Sequence, residues 1–349
     1  MENKKVKIVF VGVGSMGQCA HLKNYVIIPE CEVVAICEIK EKLGKKVAER
    51  YGIKNFYNRF DDLLQKEEFD GIVASQPFTR HYTILEEILK AKKPVFIEKP
   101  LANSVEIGEK ILDIIKKAGT FVMVGYHKRS DPASIYVKNL IEKFKISGEI
   151  GKLKYIRITM PPGDWIAGGF NDLITTDEKL PINIEYDPKP ENMEEDEFKE
   201  YIDFVNYYIH QVNFMRYLLG EDYKVKFADK SRILMVIESY SGIPGVIEMA
   251  PYKTSLSWEE KILICFENGY IELSLPAPLA SNVSGKVKIY KDKPTPQTII
   301  PQFPPISAMY QQSINFIKSI KGEIKPPVDA EEALKDLKIA KEYFSLLKN

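Results

Sequence analysis

The chain has 349 residues, a length that fits about two domains, with 45% hydrophobic and 28% charged residues. That composition supports ordinary packed cores and argues against a disordered or membrane-spanning protein. Lysine plus arginine equals aspartate plus glutamate at 49 each, so no charge excess points to nucleic acid or an acidic membrane as a partner.

The first apolar run is about five residues long, too short for a signal-peptide core or a membrane span. The four cysteines, Cys19, Cys31, Cys37 and Cys265, lack CxxC spacing, and three lie in apolar stretches. Buried free thiols are expected rather than disulfides or zinc ligands. Together these features describe a soluble, cytoplasmic protein.

Residues 6–11 form a strand candidate that leads into Gly12-Val-Gly-Ser-Met-Gly17 and a helical stretch over 16–25. In a dinucleotide site, Gly12 permits the sharp turn and Gly14 lets the pyrophosphate reach the backbone. Gly17 lets helix and strand pack closely, and the phosphates meet the helix N-terminus, flanked by Ser15 and Met16. A second apolar run, 33–37, ends at Glu38, where a carboxylate should accept from the adenosine ribose hydroxyls. Glu38 favours NAD because it repels a 2′-phosphate, while Lys40 two positions later keeps NADP open.

Strand candidates at 71–74, 94–97 and 121–124 follow, with helix candidates at 41–51, 81–92 and 105–118. This alternation over residues 1–126 predicts an α/β Rossmann domain with a doubly wound parallel sheet. Ligands bind beyond the carboxyl ends of such strands. Three loops there draw notice: Ser75-Gln-Pro-Phe-Thr-Arg-His81, Glu98-Lys-Pro100 and Gly125-Tyr-His-Lys-Arg129.

The glycine turn, Glu98-Lys-Pro100, Gly125-Tyr-His-Lys-Arg129 and the tail Pro326-Pro-Val-Asp-Ala-Glu-Glu-Ala-Leu334 resemble the Gfo/Idh/MocA oxidoreductases. The resemblance implies that Lys99 lies beside the nicotinamide and the reacting carbon. Glu98, Ser75, Gln76, Phe78 and His81 are then cofactor contacts, and Tyr126 and His127 substrate contacts. One departure stands in the first loop, where Gln76-Pro-Phe78 replaces the family's Thr-Pro-Asn. Phenylalanine can pack on a ring but cannot repeat the asparagine's hydrogen bond.

From residue 127 to 349 the texture changes. A helical stretch at 133–144 precedes β-like runs at 153–160, 225–227, 233–239, 245–249, 261–266, 270–274 and 286–290, with a hairpin signal at Asn268-Gly269. Strands without intervening helices predict an α+β domain with a large, mostly antiparallel open sheet, one face covered. By family analogy this domain binds substrate and makes a homo-oligomer, a dimer or tetramer, through the sheet. The irregular stretch 161–197 is long for a loop and suits a lid or binding element, with Asp164 and Trp165 as substrate candidates.

Residues 201–220 predict one helix on which Asn206, His210 and Asn213 share a face at i, i+4 and i+7. A polar ridge on an apolar helix must be satisfied, by a ligand or within the core. Its ending, Arg216-Tyr-Leu-Leu-Gly220, resembles the family's second signature, with His210 on its histidine and Asn206 in place of its aspartate. The glycine-rich approach usual there is missing.

The expected chemistry is NAD(P)-dependent hydride transfer between nicotinamide and a secondary alcohol or ketone of a sugar, sugar derivative or cyclitol. His210, with an intrinsic pKa of about 6.5, handles the proton. Lys99 donates to the developing alkoxide, and Asn206 and Asn213 orient the substrate. No metal is needed. The resemblance also admits an NAD-dependent glycoside hydrolase acting by transient oxidation, or a non-catalytic NAD(P)-binding sensor.

Overall fold

A computed structural model describes residues 4–191 and 193–348. They form two compact units. The first holds the described residues through Tyr126 together with Phe170–Asn206 and Gln312–Leu337. The second holds His127–Gly169, Tyr207–Gln311 and the chain from Lys338 on.

The first unit is built on β1 (Val6–Val11), a helix that starts as a π-turn over Gly17–Leu22 and continues as α1 (Lys23–Tyr25), β2 (Cys31–Cys37) and α2 (Glu41–Tyr51). β3 (Asn55–Tyr57), α3 (Phe60–Lys66), β4 (Gly71–Ala74), α4 (His81–Ile88), β5 (Val95–Glu98), α5 (Val105–Ala118) and β6 (Val122–Gly125) follow. The six strands lie parallel in the order β3-β2-β1-β4-β5-β6, the doubly wound Rossmann arrangement expected from the alternation. β4, β5 and β6 are buried along their whole length, which is why they read as continuous apolar runs. β3 and α3 escape sequence reading because β3 is a three-residue edge strand with no apolar run of its own.

Two distant pieces of chain complete this unit. Phe316 is fully buried, with ring centroids 5.9 Å from Phe96 and 6.3 Å from Phe121. Burying one such side chain contributes about 2–3 kcal/mol. Leu334 packs where α5 has no side chain: a Cβ on Gly108 would stand 2.7 Å from its Cδ1.

The second unit contains α6 (Pro132–Ser147), β7 (Leu153–Met160), the end of α7 (Glu195–Tyr207), α8 (Ile209–Leu219), β8 (Tyr223–Ala228), β9 (Leu234–Ser239) and β10 (Pro244–Met249). It continues through β11 (Glu260–Phe266), β12 (Gly269–Leu275), β13 (Lys286–Lys291) and β14 (Gln297–Ile299). α9 (Ala308–Ile320) and α10 (Ala330–Leu347) divide between the units. The sheet order is β14-β13-β12-β11-β7-β10-β9-β8, antiparallel throughout except for β7 against β10. This is the mostly antiparallel sheet the sequence predicts. α6 and α8 cover one face, and strand residues alternate between buried and exposed accordingly. Asp131 caps α6, accepting from Ala133 N at 2.8 Å and Ser134 N at 3.3 Å, with Pro132 at the first helical position.

Two local expectations shift. The β11–β12 turn consists of Glu267 and Asn268, since Phe266 pairs with Gly269. Gly269 is needed for a different reason: a Cβ there would lie 2.3 Å from the Tyr290 carbonyl of β13. The single helix expected over 201–220 is two, α7 and α8, parted at Tyr208. Among the described residues, no strand or helix interrupts the stretch between β7 and α7. All four cysteines are free. Among the described residues no helix is long and apolar enough to cross a membrane.

Candidate functional site

Within the first unit, the glycine turn and the loop after β4 meet at the carboxyl end of β1. Gly12 has φ +92°, and a Cβ there would lie 2.4 Å from Gln76 Nε2 and 2.5 Å from the Ser75 carbonyl. Gly17 packs on Gly12, whose carbonyl would stand 2.7 Å from an added Cβ. These two glycines are therefore required by the fold itself. Gly14 is different: an added Cβ would meet no atom within 4 Å. Nothing inside the protein demands a glycine there, whereas a pyrophosphate lying against the backbone would. Ser15 beside it is exposed and Met16 half-buried, at the mouth of the turn.

Glu38 leaves the end of β2 and folds back over the turn. Its Oε2 accepts from Val13 N at 2.9 Å and its Oε1 from Lys40 N at 3.0 Å, with the side chain buried. The carboxylate is thereby held next to the glycine turn, where an adenosine ribose would be read. The cradle fits a dinucleotide.

Glu98 ends β5 and is buried. Its Oε1 lies 2.6 Å from His21 Nε2, and its Oε2 accepts from Lys99 N at 3.2 Å. Burial by itself would raise the Glu98 carboxyl. The hydrogen bond and charge of His21, with the charge of Lys99, outweigh it and hold the group below its ordinary range. His21 was not singled out by its sequence position. It lies one helical turn beyond Gly17, but its partner is 77 residues away.

Lys99 is half-buried, precedes a cis proline, and donates from Nζ to the backbone carbonyl of Asn206. The Asn206 side chain is exposed. His81 is fully buried and bonds through Nδ1 to the Leu101 carbonyl at 3.0 Å, so it ties α4 to the loop after β5. Burial lowers its pKa and favours the neutral ring. Phe78 opens a short turn at the start of α4 and is half-buried, and Tyr126 is buried just beyond β6.

The remaining candidates lie in the second unit. His127 and His210 meet edge to face, ring centroids 4.8 Å apart. Asn213 is buried, and its side-chain oxygen accepts from Arg129 Nε at 2.7 Å. The Arg129 guanidinium also lies 4.9 Å over the Tyr217 ring. Lys128 is buried and ion-paired with Glu260, which further accepts from Gln211 Nε2 at 2.8 Å. Trp165 is 38% exposed, and Asp164 turns its carboxylate onto the amides of Ile166 and Ala167, at 3.0 Å each. Among the described residues, no group of three or more His, Cys, Asp or Glu is arranged to hold a metal ion.

Residues 6–126 match the family model described as an oxidoreductase family with an NAD-binding Rossmann fold. The model is that of the Gfo/Idh/MocA family. Over a longer stretch the chain is 24% identical to an uncharacterized oxidoreductase, YrbE, of Bacillus subtilis, covering 76% of this chain and 65% of that protein. It is also 24% identical to a myo-inositol 2-dehydrogenase of Thermotoga maritima, covering 70% and 63%. The matched stretch thus spans somewhat under two thirds of either relative. The fold extends over the whole chain in an aldose-aldose oxidoreductase of Caulobacter crescentus, with a TM-score of 0.73, 19% identity and coverage of 99% and 98%.

Proposed function

We propose that the protein is an NAD-dependent dehydrogenase that oxidises a secondary alcohol, or reduces the matching ketone, on a sugar, sugar derivative or cyclitol. The open space over Gly14, beside a turn otherwise packed tight, carries the cofactor part of this reading. The relative named as a myo-inositol 2-dehydrogenase supports the substrate class.

Gly12, Gly14, Ser15 and Met16 would hold the pyrophosphate, and Glu38 the adenosine ribose. Bound NAD would supply hydride acceptance. Lys99, anchored by Glu98 behind it and by the Asn206 carbonyl at its tip, presents an ammonium to the alkoxide that develops as the hydroxyl proton leaves. His210 takes that proton, its imidazole oriented by the edge of His127. Asn213 acts at one remove, by fixing Arg129.

The outward face of the large sheet carries Tyr155, Val236, Val246, Leu263 and Cys265, all half-buried. Exposed Arg157 stands between Val246 and Leu263, and this mixed face is where the proposed homo-oligomer would form. Sedimentation of the wild type against Val246→Lys tests it, and a monomeric wild type would overturn it.

The functional test is fluorescence titration with NADH, followed by a screen of inositols and sugars for NAD reduction. Tight NADH binding with turnover of a polyol supports the reading. Absence of NADH binding overturns it.

A further inference from the structure

The stretch from Phe170 to Asp187 has no helix or strand, yet it is fastened to the Rossmann unit along its length. Near its start, Ile174 and the Gln18 side chain exchange two hydrogen bonds, at 3.0 and 3.1 Å. In its middle, the Glu178 carboxylate accepts from Lys42 N and Leu43 N, each at 2.9 Å. The Thr176 hydroxyl donates to the same carboxylate at 3.0 Å, and Asp177 meets Lys42 Nζ at 3.3 Å. At its end, Asp187 accepts from Tyr82 N and Thr83 N at 3.0 Å each. α2 follows β2 and α4 follows β4, so the Glu178 and Asp187 anchors fall on opposite sides of β1 and its glycine turn.

The position of Glu178 is the informative one. Lys42 and Leu43 are in the first turn of α2, where backbone N–H groups have no partner within the helix and attract anions. They follow directly on Glu38, the residue placed to read the adenosine ribose. A 2′-phosphate needs uncommitted N–H donors and cations at that point. Here Glu38 engages the amides of Val13 and Lys40, Glu178 engages those of Lys42 and Leu43, and Asp177 engages the Lys42 ammonium.

We propose that Glu178, 136 residues from Lys42 in sequence, is a second determinant of selectivity for NAD over NADP. It closes the N-terminus of α2 with the protein's own carboxylate and adds a second negative charge to that of Glu38. The proposal rests on the dinucleotide reading above. It assigns cofactor discrimination to the irregular stretch as well as to the Rossmann motif.

NADH and NADPH titrations by nicotinamide fluorescence test it, on wild type, Glu178→Gln and Thr176→Val, with amide hydrogen exchange at residues 42–43. Wild type should prefer NADH. Glu178→Gln should raise NADPH affinity by about tenfold, leave NADH affinity within about threefold, and lose exchange protection at 42–43. Thr176→Val, which keeps the charge, should change the selectivity ratio by less than about threefold. A ratio for Glu178→Gln within about twofold of wild type, with protection lost at 42–43, would overturn the proposal alone. So would a wild type that binds both nucleotides equally, or an effect of Thr176→Val as large as that of Glu178→Gln. A wild type that binds neither nucleotide overturns the dinucleotide reading together with this one.

Discussion

His21 Nε2 lies 2.6 Å from Glu98 Oε1, and this contact joins the helix after the glycine turn to the residue that precedes Lys99. Both side chains are buried, and the His21 ring also sits edge-on to Phe96, 5.0 Å between centroids. A buried hydrogen bond thus links the glycine turn to the lysine loop within the first unit.

Glu98→Gln removes the charge and keeps the shape. Burial pushes the Glu98 carboxyl up, but His21 and Lys99 hold its folded pKa below the ordinary value of 4.5. A folded pKa below the unfolded one means stability that is present above the unfolded value and lost as pH falls through the folded one. Wild type should exceed the variant by about 1–2 kcal/mol at neutral pH. Urea melts at neutral pH and below about pH 4 check this, since the gap should close in acid. A gap that stays constant would refute it.

The three glycines separate by role. Gly12→Ala and Gly17→Ala should destabilise the fold by about 1–3 kcal/mol, because each Cβ enters occupied space, at 2.4 and 2.7 Å from its nearest neighbour. Gly14→Val should leave stability within about 1 kcal/mol and still abolish NADH binding. Thermal melts read beside NADH fluorescence distinguish the two outcomes, and a destabilised Gly14→Val would count against an open cradle.

Lys99→Met should lower kcat by about 10²–10⁴ while NADH affinity stays within about threefold. His210→Asn should lower kcat to a similar degree and, because the base must be neutral to take the proton, remove the fall in the alcohol-oxidation rate on the acid limb. Steady-state kinetics with the polyol found by screening measure both. An unchanged pH profile in His210→Asn would move the proton work to another group.

The Lys128–Glu260 pair is buried on both sides, with side-chain exposures of 4% and 0%. Lys128→Met strands a buried carboxylate and should cost about 3–5 kcal/mol. The double variant Lys128→Met, Glu260→Leu should recover most of that loss. Denaturant unfolding of the single and double variants supplies the cycle, and a double variant no better than the single would contradict the pairing.

Most of the Rossmann sheet was legible because β4, β5 and β6 are wholly buried and β1 nearly so, and because Gly12, Gly14 and Gly17 stand at the spacing of a strand-to-helix turn. The break at Tyr208 was not. No proline or glycine marks it, and the new helix starts there because the Tyr208 carbonyl takes the amides of Gln211 and Val212. Asn213 read as part of a ligand-facing ridge, yet its side chain is bonded to Arg129, 84 residues away.

Sequence alone thus determined the periodic elements, the glycine turn, Glu38 at the end of β2 and the type of each sheet. These follow from contacts within a few residues, where backbone sterics and side-chain period act directly. Tertiary structure alone decided the pairings of His21 with Glu98, Lys128 with Glu260 and Glu178 with the start of α2, over separations of 77, 132 and 136 residues. A charged side chain carries no local mark of its partner. For the two buried pairs, His21 with Glu98 and Lys128 with Glu260, the match is made only when the fold brings the groups together and desolvation makes leaving either one unpaired more costly than joining them.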